Sequence, residues 1–417
     1  MTLRVTPHDQ SVLEAVADRA GSIVARAAAW AGVSSGSYNL SGLETIAAIL
    51  AEAFAVLPAT LTRHPMPPIA EIAADGRSSP RAQGQALEYV VRPEAAVQVV
   101  LTGHYDTVFA ADTGFLSVAT RGDGALNGPG IADMKGGISV MLAALEAFET
   151  HPAAASLGYA VLLSPDEEIG SPGSAPLLAR LAARGQVGMT YEPTMPDGAL
   201  ASARKGSGNF HIVVSGRAAH AGRDFAQGRN AVVEAARLAL TLDGLNGRLD
   251  GVTVNVARID GGAPLNMVAA SAVVRFNIRG PDEAACLSAR AAIDDILAAP
   301  RGGGLSVALH GGFTRPPKPF SPAQQRLFAA LAEVGALIDL PIAWRASGGV
   351  CEGNNLFAAG LPNIDTLGVR GGDIHSEAEY AWPDSFAERA RLSALLLIKL
   401  ADGGIDAAAI RALATPT

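Results

Sequence analysis

From about Gln10 to Val56 apolar residues recur at helical spacing, with a break at GVSSGSYN, residues 32–39. Val97 to Leu101 is a short apolar run between Glu94 and Gly103, which predicts a strand buried on both faces. Lys135 to Thr150 returns to helical spacing and stops before His151-Pro152. Tyr159 to Leu163 predicts a further buried strand, Ala175 to Arg184 a helix, and Val187 to Tyr191 another strand. Strands alternating with helices predict an α/β fold, an open, mostly parallel sheet with helices on both faces.

The pattern changes near Arg204. Asn209 to Ser215 alternates as a half-buried strand, and Asn230 to Leu242 is an amphipathic helix. Strands at Val252 to Ile259 and Ser271 to Ile278, a helix from Asp282 to Ala298 and a strand at Leu305 to Leu309 follow. The order β-α-β-β-α-β predicts an inserted ferredoxin-like α+β sandwich. TRPPKPF, Thr314 to Phe320, reads as the linker out of it, after which helix and strand alternate again. The expected division is 1–203 and 317–417 for the two parts of the α/β unit and 204–316 for the insert. One continuous large α/β domain is the plainer alternative.

Composition narrows the class. Net charge is −8, and no basic block or aromatic-plus-basic patch interrupts it, which argues against a nucleic acid partner. The only two cysteines, Cys286 and Cys351, are far apart and form no CxxC pair, so two reduced thiols are expected. MTLRVTPHDQ has no apolar core of the signal-peptide kind, and the apolar run Ala394 to Ile398 is too short to span a bilayer. The expected location is the cytoplasm, with no membrane association.

The chemistry-bearing residues fall at the strand ends. His104 and Asp106 follow the strand ending at Leu101, Glu167 and Glu168 the strand ending at Leu163, and Glu192 the strand ending at Tyr191. His375 follows a strand expected at Ile364 to Val369, and Asp133 lies in a Gly-rich loop before the Lys135 helix. In an open α/β sheet the C-terminal edge of the strands is where ligands bind. Imidazole and carboxylate together suit zinc, and also cobalt or manganese. Five donors, His104, Asp133, Glu168, Glu192 and His375, exceed one tetrahedral shell and suit two ions sharing a carboxylate. Of the adjacent Glu167-Glu168 pair, one can face a metal and the other the substrate, as a general base. Asp106 can orient the imidazole of His104. Taken singly, each of these residues is more often a satisfied loop polar group or a helix cap; their common placement gives the set its weight. GPGIADMKGG, 128–137, is no phosphate loop, because Gly136 follows Lys135 where Ser or Thr is needed.

The strings GHYDTV, GIADMKGG, SPDEEIGS, YEP and GGDIHSEAEY, in this order, resemble the di-zinc exopeptidase and deacylase family. That family includes glutamate carboxypeptidase, acetylornithine deacetylase, succinyl-diaminopimelate desuccinylase and aminoacylase, and the likeness runs from about Gly36 to the C-terminus. The resemblance implies a phosphorylase/hydrolase-like catalytic domain with a dimerisation, or lid, domain, and two divalent ions per subunit, zinc before cobalt or manganese. His104 and Glu192 would hold one ion and Glu168 and His375 the other, with Asp133 between them. Glu167 would be the base and Asp106 the orienting acid, and a cis peptide is implied after Asp133. In SGRAAHAG, His220 matches a histidine that reaches the partner subunit's site. Asn266 and Arg279 match residues that hold the substrate carboxylate, with Lys205 a further candidate. SGGVCEGNN, 347–355, stands where relatives have a Gly-rich substrate loop, which brings in Gly348 and Gly349 and leaves the role of Cys351 open.

The expected activity is hydrolysis of an amide or peptide bond beside a free carboxylate, on an N-acyl amino acid or short peptide, by a homodimer. A silent binding protein on the same fold would be expected to have lost the base or a ligand, and Glu167 argues against it. A two-metal phosphoesterase lacks support from the Gly-rich loop, and Arg279 suits a carboxylate equally.

Overall fold

Three helices open the chain in the computed structural model, which describes residues 3–414: Pro7–Asp18, Ala20–Ala31 and Leu40–Ala53. The break at 32–39 falls where the pattern predicts it, and a second one falls at Arg19. Thr6 and Asp9 start the first helix with reciprocal hydrogen bonds, 3.2 Å from Asp9 N to Thr6 Oγ1 and 2.7 Å from Thr6 N to Asp9 Oδ2.

The central sheet has six strands in the order Thr60–Pro65, Gln85–Val91, Leu157–Ser164, Val97–His104, Val187–Thr190, Asn363–Ile364. The last four are mutually parallel, and the first two pair antiparallel at one edge. The apolar pattern does not predict those two. In QALEYVV, Glu88 interrupts the apolar run, and it is buried because Arg180 and His64 hold its carboxylate. At the opposite edge the strand expected over 364–369 shrinks to Asn363–Ile364. Beyond it Asp365 turns to Arg204 and Lys318, and the Thr366 hydroxyl accepts from Ala201 N, so the chain leaves the ladder.

Lys135–Phe148 and Asp384–Ala401 pack together on this sheet and are buried along nearly their whole length. Gly137 has to be a glycine: a Cβ there would lie 1.9 Å from the carbonyl oxygen of Tyr191. That close approach carries the start of the helix, and Asp133 just before it, up to the edge of the sheet.

The inserted unit is an antiparallel sheet in the order Thr253–Gly261, Ser271–Gly280, Gly206–Ser215, Ser306–Arg315, with helices Ala231–Asp243 and Glu283–Ala298. It has its own core, built around Phe210, Ile212, Val274, Phe276 and Ile293, with Phe210 and Phe276 stacked at 5.4 Å. Its last strand runs to Arg315, past the expected end at Leu309, and takes in the first residues of the supposed linker. Lys318 is fully buried, so TRPPKPF is no solvent-exposed tether. Charge pairing explains this: Arg315 meets Glu167, and Lys318 meets Asp365. Among the described residues no helix is long and apolar enough to cross a membrane.

Candidate metal centre and its cleft

His104 is the last residue of the Val97–His104 strand, and its ring is fully buried. Its Nε2 lies 3.1 Å from Asp133 Oδ1 and 3.7 Å from Glu192 Oε1. The other oxygen of Asp133, Oδ2, lies 3.2 Å from Nε2 of His375, which is also 3.2 Å from Glu168 Oε2. One carboxylate thus faces two imidazoles with different oxygens, and each imidazole has a second carboxylate beside it. His375 is held at φ 63, a backbone conformation uncommon outside glycine. The Asp133–Met134 peptide is cis.

The backbone of the cradle is fixed from behind. Asp106 accepts from the backbone N–H groups of Glu167 and Glu168, each at 3.2 Å, and from Ser37 Oγ at 2.6 Å. The carbonyl of Asp106 lies 3.1 Å from His104 Nδ1, so Asp106 sets both the ring and the acidic pair. Glu167 and Glu168 sit on a 3₁₀ turn, Glu167–Ile169, just past the strand. Glu379 carries out the same task for Asp133, accepting from the N–H groups of Gly130, Ala132 and Asp133 at 2.9–3.1 Å.

The electrostatics of the cluster call for cations. Burial, then the charge of Asp133, push the carboxyls of Glu168 and Glu192 above the usual range. Burial works against a charged His104, yet Glu192 and hydrogen bonds to Asp106 and Asp133 hold it well above its ordinary value. Hydrogen bonds to Asp133 and Glu168 push His375 up to about 11. Acids that resist ionising and histidines that resist deprotonating are what three buried carboxylates produce without added positive charge. The donor atoms of His104, Glu167 and Glu192 lie within 4.8 Å of one another, as do those of His104, Asp133 and Glu168. Imidazole nitrogen and carboxylate oxygen at these separations fit divalent metal.

Glu167 falls in the first of those groups, although the sequence points to proton transfer. Arg315 separates the two roles. Its Nη2 lies 2.5 Å from Glu167 Oε1 and donates to the Glu167 carbonyl at 3.1 Å, leaving Oε2, 4.0 Å from His104 Nε2, to face the cradle. Nothing local in the sequence marks Arg315, which is 148 residues from Glu167.

A cleft of about 450 Å³ opens over the cradle between the two sheets. Asp133, Glu168, Glu192 and His375 line one side, and Asn277, Arg279 and Gly349 the other. Arg279 donates to the carbonyl of Gly348 at 2.8 Å, joining the lid to the Gly-rich loop. Lys205 is directed elsewhere, donating to the Gly251 carbonyl at 2.9 Å, and its neighbour Arg204 lines the cleft instead. Burial opposes the charge of Arg204, but Asp365, 2.7 Å from Nε, more than offsets it and keeps the guanidinium ionised. Cys351 is a buried free thiol that accepts from Gly353 N at 3.3 Å and so caps the helix Glu352–Ala358; Cys286 is also free. His220 and Asn266 do not join the cleft. They lie side by side on two exposed lid loops, where Ala221 N donates to the Asn266 carbonyl.

A buried His and carboxylate cradle at the C-terminal edge of a mostly parallel sheet, roofed by a second sheet that brings an arginine, defines a metal-dependent hydrolase. The profile of peptidase family M20/M25/M40 matches residues 100–399, and the chain belongs to that family. It is similar to carboxypeptidase G2 of Pseudomonas sp., 27% identical over 330 residues that cover 75% of this chain and 76% of the relative. It is also similar to a succinyl-diaminopimelate desuccinylase of Methylorubrum extorquens, 35% identical over 206 residues, 44% of this chain and 52% of the relative. Among solved structures, a tripeptidase of Staphylococcus aureus has the same fold, with a TM-score of 0.69 at 20% identity over 92% of this chain and 98% of its own. So does the dipeptidase Dug1p of Saccharomyces cerevisiae, at 0.69 and 13% identity, over 95% and 99%.

Proposed function

We propose that this M20 hydrolase cleaves an amide or peptide bond beside a free carboxylate, as a carboxypeptidase or N-acyl amino acid deacylase. The observation that carries the reading is Asp133 with one oxygen toward each histidine, under a cleft that also holds Arg279. His104 and Glu192 would hold one ion, Glu168 and His375 the other, and Asp133 both. Two divalent ions there, zinc before cobalt or manganese, would polarise the scissile carbonyl and acidify the attacking water.

The chain's own groups do the rest. Water adds to the carbonyl carbon while the free oxygen of Glu167 takes its proton, and that proton passes to the amine nitrogen as the C–N bond breaks. The products are a carboxylic acid, which loses its remaining proton to solvent, and an amine. Arg315 keeps Glu167 turned toward the cradle, and Asp106 keeps His104 in place. Arg279 and Arg204 receive the substrate carboxylate, with the backbone of Gly348 and Gly349 beside them. Lys205 sits one residue out of position for that role.

His220 and Asn266 belong to this reading only through a second copy of the chain. Residues 204–316 would then form the dimerisation domain between the catalytic parts 1–203 and 317–417, and His220 would polarise the carbonyl in the partner's site. Exposed Phe225, Leu265 and Met267 beside His220 support a covered loop. The expected particle is a cytoplasmic homodimer.

The test is a panel of N-acyl amino acids and dipeptides offered to chelator-stripped protein reloaded with zinc, cobalt or manganese. Each substrate is paired with its C-terminal amide. Metal-dependent release of the amino acid from the free acids, and little from the amides, is expected. Equal turnover of acids and amides would overturn carboxylate recognition, and no turnover with two ions bound would favour the silent binding protein.

A further inference from the structure

Three cavities, of about 450, 330 and 650 Å³, meet at Glu168. The first is the cleft with Arg279 and Arg204. The second leaves the cradle by a different wall, lined by Tyr38, Thr107, Val108, Phe109, Ala110 and Ile169. No Lys, Arg or His is among its lining residues, Glu168 is the one charged group that lines it, and Arg81 lies behind the wall, stacked on the Tyr38 ring at 3.8 Å. The third runs under the hairpin Ile69–Ile72/Ser78–Arg81, beside Arg258 and Arg275, which share the single carboxylate of Asp260.

A scissile carbonyl at the cradle has two substituents, and they must leave in different directions. With the carboxylate-bearing amine side in the cation-lined cleft, the acyl side faces another opening. We propose that the second cavity receives it and selects a bulky, uncharged, apolar acyl group over acetyl or succinyl. This rests on the amidohydrolase reading above.

The cavity has the size and finish of a binding pocket. About 330 Å³ is within the usual range for small ligands, ~300–1,000 Å³. Its two walls are stitched together before any ligand arrives. Thr107 N donates to Ser35 O at 3.0 Å, Ser37 N to Thr107 O at 3.2 Å, and Ser35 Oγ to Tyr105 O at 2.6 Å. Gly36 permits that seam, since a Cβ there would lie 2.2 Å from the Phe109 carbonyl oxygen. Phe109 is braced edge-on by Phe115 at 5.1 Å. Val108 is 43% and Tyr38 52% exposed, apolar surface that a bound acyl group would cover. A second carboxylate on the acyl chain would find no Lys, Arg or His among the lining residues to receive it.

The experiment compares kcat/KM for N-acetyl, N-succinyl, N-benzoyl and N-octanoyl forms of one amino acid on the metal-loaded enzyme and two cavity-filling variants. A preference of at least tenfold for benzoyl or octanoyl over both acetyl and succinyl is expected. Ala110→Trp, at an exposed loop position, should lower that preference at least tenfold, expressed mainly in KM, whereas Ala73→Trp in the third cavity should leave the ratio as it was. Efficient hydrolysis of acetyl or succinyl substrates without that preference overturns the proposal while leaving the amidohydrolase reading intact. So does a preference that moves with Ala73→Trp instead. Failure to hydrolyse any of the four overturns the function itself, and this pocket with it.

Discussion

The metal cradle and the His220 loop belong to one chain but are built in opposite ways. Most of the cradle is buried, and its side chains are held by groups behind them: His104 by Asp106, Asp133 by Glu379, and Glu167, the proposed base, by Arg315. His220 is exposed, and its Nδ1 accepts only from N–H groups of its own loop, Gly222 at 3.1 Å and Arg223 at 3.3 Å. Beside it Leu265 is wholly exposed. A site that must hold charge in place is braced from within its fold. A loop that waits for a second surface keeps its apolar residues in the open. On the proposed function, the cradle is complete in one chain, whereas His220 needs a second chain to act on.

The largest effect is expected on the braced side. Glu167→Gln should lower kcat by ~10²–10⁴, with two ions still bound. Loss of metal in step with activity would make Glu167 a ligand and erase its distinction from Glu168. A stability measurement sharpens the same side. Burial opposes the charge of Asp365, yet Arg204 and Lys318 outweigh it and bring its carboxyl down to about 2. Its folded value lies below the unfolded one, so its stabilisation is fully present above pH ~4 and is lost as pH falls through about 2. Asp365→Asn would leave two buried cations unpaired and should cost about 3–5 kcal/mol in urea unfolding at neutral pH. A change near zero would mean that the cluster is solvated.

On the open side, His220→Ala should cost ~10²–10³ in kcat with metal content unchanged and Tm little changed, because the side chain holds only two N–H groups of its own exposed loop. A fall in Tm would make His220 a structural residue. The smallest effect is expected behind the cradle. Glu379→Gln should weaken metal binding by ~10–100-fold, read by competition with a chromogenic chelator. Unchanged affinity would mean that the Gly130–Asp133 loop holds its shape unaided.

How far the sequence carried the account follows the same division. The candidate donors were legible as a set because strand ends in an α/β sheet collect ligands, and because GHYDTV, SPDEEIGS and YEP place them there. Glu379 was present in GGDIHSEAEY but unread, since nothing marks an acid as the acceptor of three distant N–H groups. Arg315 and Asp365 acquire meaning only when the last lid strand and the sheet edge meet their partners. Lys205 and Arg204 show the limit at single-residue scale. Adjacent residues of an extended chain face opposite ways, so a one-residue choice decides which cation enters the cleft.

Mixing two inactive variants, Glu167→Gln and His220→Ala, under conditions of proven subunit exchange shows whether one chain's His220 serves the other chain's site. In the mixed dimer one site has an intact Glu167 and receives an intact His220 from its partner, while the other has neither. Equal mixing should restore about a quarter of wild-type activity, half of the dimers being mixed with one working site in each. No recovery, with mixed dimers demonstrated by mass, would contradict the account, because His220 would then act within its own chain or not at all.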